Sequence, residues 1–111
     1  TYAVRLGTDI VQVSRLAVEV EQLGADLLDR IFTSAEQRRC GGRIESLAAR
    51  WAAKEAAIKA LGWQLQDVDL RTIEVIGSDR PAIVLHGTSE TVLAVSLAHD
   101  GDYAIAVVVV G

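Results

Sequence analysis

The chain has 111 residues, a formal net charge of −4 and 50% hydrophobic residues, which fits one domain spanning 1–111 with no evident linker. This composition excludes a disordered segment, and the negative balance argues against nucleic-acid binding, which needs a positive field to meet phosphates. No apolar run approaches the ~20 residues of a membrane span, and no basic-then-apolar leader opens the chain, so it reads as soluble and cytoplasmic.

Tyr2, Val4 and Leu6 alternate with Ala3 and Arg5, the pattern of a strand, and Gly7 is expected to end it. Asp9 then stands just past the strand, where a short carboxylate can point from the end of a sheet. The run from Val11 to Leu23 places Leu16, Val20 and Leu23 at helical spacing, with Ser14 as its N-cap and Gly24 as its stop. A short helix over Ala25 to Ile31 follows. Thr33-Ser34-Ala35-Glu36 has the spacing of a capping box that opens another.

Gly41-Gly42 breaks the chain, and from Ile44 to Leu61 no Gly or Pro interrupts. Seven alanines between Ala48 and Ala60 raise helix propensity and let other elements approach closely, and Gly62 is the natural stop. From there Leu61-Gly62-Trp63 is expected to run into the next strand through a short connection. Strands are expected over Thr72 to Ile76 and Pro81 to Leu85, around the turn Gly77-Ser78-Asp79-Arg80, then a short helical piece near Ser89 to Leu93. Val95 to Ala98 and Tyr103 to Val110 pair through His99-Asp100-Gly101-Asp102; Val107 to Val110 lacks polar alternation and should be covered on both faces. This order gives an α+β fold with a largely antiparallel sheet packed on a long alanine-rich helix and shorter helices.

Cys40 is the only cysteine, which rules out an intrachain disulfide and reads as a surface or interface thiol. Arg30, Arg38, Arg39, Arg43 and Arg50 form a local basic stretch, suited to an anionic ligand or an acidic protein, or simply to solvated helix faces. Glu55 and Lys59, four residues apart, share one helix face and can meet a common ligand. Asp9 and Glu55, two carboxylates with no His or Cys cluster beside them, suit a hard cation such as magnesium, which prefers oxygen ligands and keeps waters or substrate phosphates.

Three pieces in order, Gly7-Thr8-Asp9, the Lys54-Glu55 to Lys59-Ala60 stretch and Ser96-Leu97-Ala98-His99-Asp100, resemble the signatures of the holo-acyl-carrier-protein synthases, the short class of 4'-phosphopantetheinyl transferases. The resemblance runs from about Gly7 to Val110. It implies the fold of that family and a magnesium-dependent transfer of 4'-phosphopantetheine from coenzyme A to a serine of an acyl carrier protein, releasing adenosine 3',5'-bisphosphate. It implies Asp9 and Glu55 as metal ligands and, with Lys59, as the catalytic set. Arg50, Lys54, Lys59, Pro81 and His99 would bind coenzyme A, with Lys54 serving another part of the coenzyme or a helix surface, and Arg15 would contact the carrier. The serine proton would go to Glu55 or to a water held by the metal and Asp9. A homotrimer is implied, with His99 reaching the coenzyme from a neighbouring subunit.

The chain departs from the family at Thr8, where an aliphatic residue is usual, and at Glu19 and Glu21, where relatives are often basic and like charges would oppose an acidic carrier. The carrier is left open between fatty-acid, polyketide and peptide synthesis, and a start at Thr1 and a stop at Gly111 right after a strand suggest trimming or disordered ends. The alternative on the same fold is a non-catalytic module that binds coenzyme A or the carrier.

Overall fold

In a computed structural model the described residues are 4–87 and 91–111. Tyr2, where the first strand was expected to begin, and Ser89, the start of the expected short helix, lie outside them. The chain order is β1 (Arg5–Gln12), α1 (Val13–Leu23), α2 (Ala25–Ile31), α3 (Ser34–Cys40), α4 (Ile44–Leu61), β2 (Ile73–Ile76), β3 (Ala82–Leu85), β4 (Thr91–Asp100) and β5 (Tyr103–Val110). The strands form one antiparallel sheet in the order β1-β5-β4-β3-β2, and α4 lies across its inner face. The α+β expectation holds.

Helix α4 is long because alanines carry high helix propensity, and it is central because they are small. The closest approach is at Gly7, where an added Cβ would sit 1.9 Å from the Ala56 carbonyl oxygen. Gly7 therefore does not end the strand. It lies inside β1, where only a missing side chain lets the strand reach the helix, and Asp9 consequently sits within the strand opposite Ala106 of β5. Ala104, Ala106 and Val108 continue this shallow inner surface, while Leu16, Ile31, Phe32, Ile73, Val75, Ile83 and Leu93 fill the core around it.

The ends of the helices follow local chemistry in two cases and distant chemistry in a third. Thr33 and Glu36 form the full capping box of α3. Gly62 takes the left-handed conformation, φ 72°, and Trp63 N–H returns to the Ile58 carbonyl to close α4. Helix α1 begins at Val13, so Ser14 lies in its first turn and is not its cap. The Asp102 carboxylate, brought from the β4–β5 turn, accepts from both the Ser14 N–H and hydroxyl, and the Asp102 carbonyl accepts from Val13 N–H at 2.7 Å.

Other expectations are corrected. The path from Gly62 to β2 is an 11-residue connection, Gly62 through Thr72, folded into two 3₁₀ turns, Leu65–Asp67 and Leu70–Thr72. Residues Thr91 to Leu93 are strand, and β4 continues through His99 and Asp100, leaving Gly101 and Asp102 as the turn. Strand β5 is covered on one face only: Ala104, Ala106 and Val108 are buried, whereas Tyr103, Ile105, Val107 and Val109 are exposed. Leu6 and Ile10 of β1 stand opposite Val109 and Ile105, so the sheet's outer face carries a continuous apolar surface.

Candidate active site

Strand β1 and helix α4 converge on a cleft of about 340 Å³ lined by Asp9, Gln12, Arg15, Glu19, Trp51 and Glu55 among others. Asp9 enters from the inner face of β1, and Glu55 from the side of α4 that packs on that strand. Lys59, one turn beyond Glu55, donates to Asp9 Oδ1 at 2.9 Å and to the Thr8 carbonyl at 3.0 Å. Asp9 is nine-tenths buried, and its second carboxylate oxygen, Oδ2, has no hydrogen-bond partner among the described residues. Glu55 is pushed up to about 7, first by burial and then by the charge of Asp9; Lys59 works against this and Glu19 adds to it. Two carboxylates close enough to disfavour each other's charge, one with an orphaned oxygen, form a donor set that fits a divalent cation. Among the described residues no group of three or more His, Cys, Asp or Glu side chains does so, which leaves waters or substrate oxygens to complete a magnesium shell here.

Asp9, Glu55, Lys59 and Arg15 are thus brought together. Arg50 lies five residues, about 7.5 Å along the helix, before Glu55. It is 8% exposed, and among the described residues its guanidinium makes only long contacts, 3.3 Å to the Ser46 carbonyl and 3.4 Å to that of Gly77, while Nε has no partner. Pro81 stands beside the same turn, at the start of β3, in a groove it shares with Ser78, Arg80 and Ser96. His99 is exposed on β4. It faces the same side of the sheet as Asp9, in the row of Val11 and Ala104, but two strands over, roughly 10 Å across the sheet.

Lys54 is elsewhere. Its side chain is fully buried, and Nζ donates to Glu36 Oε1 at 2.7 Å, to the Ile31 carbonyl at 2.8 Å and to that of Leu70 at 2.9 Å. All three ammonium donors are used inside the protein, so the expectation that Lys54 touches the coenzyme or solvent is withdrawn. Glu36 was visible in the sequence only as a capping-box residue. It also accepts from Val75 N–H at 2.9 Å, a tie 39 residues long that local spacing cannot reveal. Cys40 is likewise buried, not at the surface, and burial pushes its thiol up.

Residues 5–108 match the 4'-phosphopantetheinyl transferase superfamily. The chain belongs to it. A holo-[acyl-carrier-protein] synthase of Gloeobacter violaceus is 39% identical, over 97% of this chain and 92% of its own length. Among solved structures, the ACPS–CoA complex of Chronobacterium ammoniagenes is similar with a TM-score of 0.84 and 31% identity, over 97% of this chain and 96% of that one. The holo-[acyl-carrier-protein] synthase of Helicobacter pylori in complex with coenzyme A gives a TM-score of 0.84 at 30% identity, over 93% of this chain and 96% of that one. Among the described residues no helix is long and apolar enough to cross a membrane.

Proposed function

We propose that this chain transfers the 4'-phosphopantetheine arm of coenzyme A to a serine of an acyl carrier protein in the cytoplasm, in a magnesium-dependent reaction that releases adenosine 3',5'-bisphosphate. The observation that carries this reading is the meeting of Asp9 and Glu55 in one cleft, with Lys59 bonded to Asp9 and Asp9 holding a buried oxygen unpartnered among the described residues. The serine oxygen attacks the phosphorus that bears pantetheine, and the bond from that phosphorus to the oxygen shared with the adenylate phosphate breaks. Asp9 and Glu55 would hold Mg²⁺, which when bound neutralises charge on the bridging and leaving oxygens. The serine proton would go to Glu55 or to a water held beside Asp9. Lys59, exposed and held only through Thr8 and Asp9, swings its ammonium onto the departing phosphate, so the protein contributes positioning and charge rather than covalent chemistry.

Arg50, with a guanidinium short of good partners, and Pro81 beside it are placed to take the coenzyme, and Arg15 on the rim of the cleft to meet the carrier. The apolar outer face of β1 and β5 supports assembly, and the reading here is a homotrimer in which His99 serves the coenzyme bound at a neighbouring subunit. Incubation with coenzyme A, magnesium and an apo carrier should add the mass of the arm to the carrier serine and release adenosine 3',5'-bisphosphate, both stopped by chelation. Binding of coenzyme A without release of that product would leave only a binding module. Mixing inactive Asp9→Ala and His99→Ala chains should restore part of the activity. An active monomer by light scattering would sink the shared site while leaving the chemistry.

A further inference from the structure

Helix α4 buries residues on nearly every side: Leu47 to Arg50, Ala52 to Lys54, Ala56 to Ile58 and Ala60. Only a narrow stripe at four-residue spacing, Trp51, Glu55 and Lys59, is left unburied in this stretch, and most of the remaining contact surface is alanine, whose small side chains offer little resistance to turning. Lys54 supplies what the pattern lacks. Its ammonium meets three acceptors fixed in three other places, the last turn of α2, the capping box of α3 and the 3₁₀ turn ahead of β2. Glu36 is in turn held by Thr33 N–H at 2.8 Å and Val75 N–H at 2.9 Å, and the ring of Phe32 lies 5.5 Å from the ammonium. Glu55 is the next residue, about 100° further round the helix.

We propose that Lys54 and Glu36 are positioning residues for the Asp9–Glu55 pair, locking the rotation of α4 so that Glu55 meets β1 at the spacing a cation needs. This rests on the transferase reading above. A carboxylate about 6 Å from the helix axis moves roughly 1 Å for every 10° of rotation, and a misplacement of about 1 Å is worth on the order of 100-fold in rate.

The test uses the full chain. Lys54→Met combined with Glu36→Gln removes both buried charges together, the change such pairs tolerate best, although the new amide has one oxygen for the two N–H donors, Thr33 and Val75, that Glu36 accepts from. Mn²⁺ alone, followed by electron paramagnetic resonance, reads the carboxylate pair without turnover, and thermal melting reads the fold. The double variant should melt below the parent but still in one cooperative step, bind Mn²⁺ about tenfold more weakly and lose about 100-fold in kcat, with KM for coenzyme A changed less than threefold. Glu36→Asp, which keeps both charges and shortens only the tie, decides the matter if the double variant does not fold; it should weaken Mn²⁺ at least threefold. A folded variant within twofold of the parent in both Mn²⁺ affinity and kcat overturns the positioning role. A parent chain that neither binds Mn²⁺ nor transfers the arm overturns the transferase reading instead.

Discussion

Lys54 and Lys59 stand five residues apart on one helix, and each meets a carboxylate at almost the same distance, 2.7 Å to Glu36 and 2.9 Å to Asp9. Their surroundings differ completely. The first pair is 0% exposed on both sides; in the second the lysine is 58% exposed and the aspartate 10%. Burial lowers the proton affinity of Lys54 while Glu36 holds it up, and every donor is spent on protein acceptors. Lys59 keeps a free path to solvent, and its partner keeps an unsatisfied oxygen. The lesson is that an ion pair saturated inside a core maintains geometry, whereas one left half-satisfied at a cleft is available to a ligand.

The sharpest way to break this contrast is on the open side. Asp9→Ala and Glu55→Ala should each reduce transfer by at least 10³-fold, because each removes a donor to an ion asked for several kcal/mol of charge stabilisation. Thermal melting of Glu55→Ala should be unchanged or higher, since it relieves the repulsion with Asp9. Near-normal turnover with magnesium still required would remove the residue from the site. On the closed side, Lys54→Ala should cost about 3–5 kcal/mol of stability in a denaturant titration, because it strands Glu36 as a buried, uncompensated charge. Lys59→Met reverses the pattern: a smaller stability loss, about 1–2 kcal/mol, because only Asp9 of this pair is buried, but a loss of about 10–100-fold in kcat with a smaller change in KM. Equal stability losses in the two lysine variants would erase the distinction.

The same contrast separates what was legible in the sequence from what was not. Local spacing carried the Thr33–Glu36 capping box, the bounds of α4 from Ile44 to Leu61 and the last strand, because each is decided by neighbours within a few residues. Asp9, Glu55 and Lys59 were legible as a set, by resemblance, and the fold puts Asp9 and Glu55 in one cleft with Lys59 bonded to Asp9. Gly7 was misread because a glycine in an apolar run looks like a stop, and only the Ala56 carbonyl 1.9 Å from its missing Cβ explains it. Ser14 looked like a cap because its true partner, Asp102, is 88 residues away. Lys54 was misplaced for a related reason: a lysine beside a glutamate on a helix reads as a solvated face until the acceptors that surround it are known.

Acidity gives a further way to sharpen the comparison. Glu55 has a folded value of about 7 against an ordinary 4.5, so in the metal-free chain the native state holds a proton that the unfolded state has released. The associated stability is fully present below pH 4.5 and is lost as pH rises through about 7, after which it changes no further. For a carboxyl partly open to solvent the loss is about 1–2 kcal/mol. Denaturant titrations with a chelator at pH 5 and pH 8 should show it. Glu55→Gln should flatten that slope, and saturating magnesium should reverse it, because the ion binds the ionised pair. A flat profile in the parent chain would mean that Asp9 and Glu55 do not burden each other.

The smallest effect belongs to Cys40, on the closed side. It lies one turn beyond Glu36 on α3, is 1% exposed, and its thiol is raised by burial more than the arginines around it can lower it. A thiolate is the reactive form, so this sulfur should resist alkylating reagents in the native chain and label only at the rate of unfolding. Cys40→Ala should leave kcat and KM within twofold of the parent, because Cys40 does not line the cleft of Asp9 and Glu55, and should cost about 1 kcal/mol for the small void left behind. The labelling rate then becomes a reporter on the buried tie. Cys40 should label faster in Lys54→Ala, which loosens α3 from α4, and at the parental rate in Lys59→Met, which disturbs only the open pair. Equal acceleration in both variants would show that the two lysines hold the same structure and not different ones.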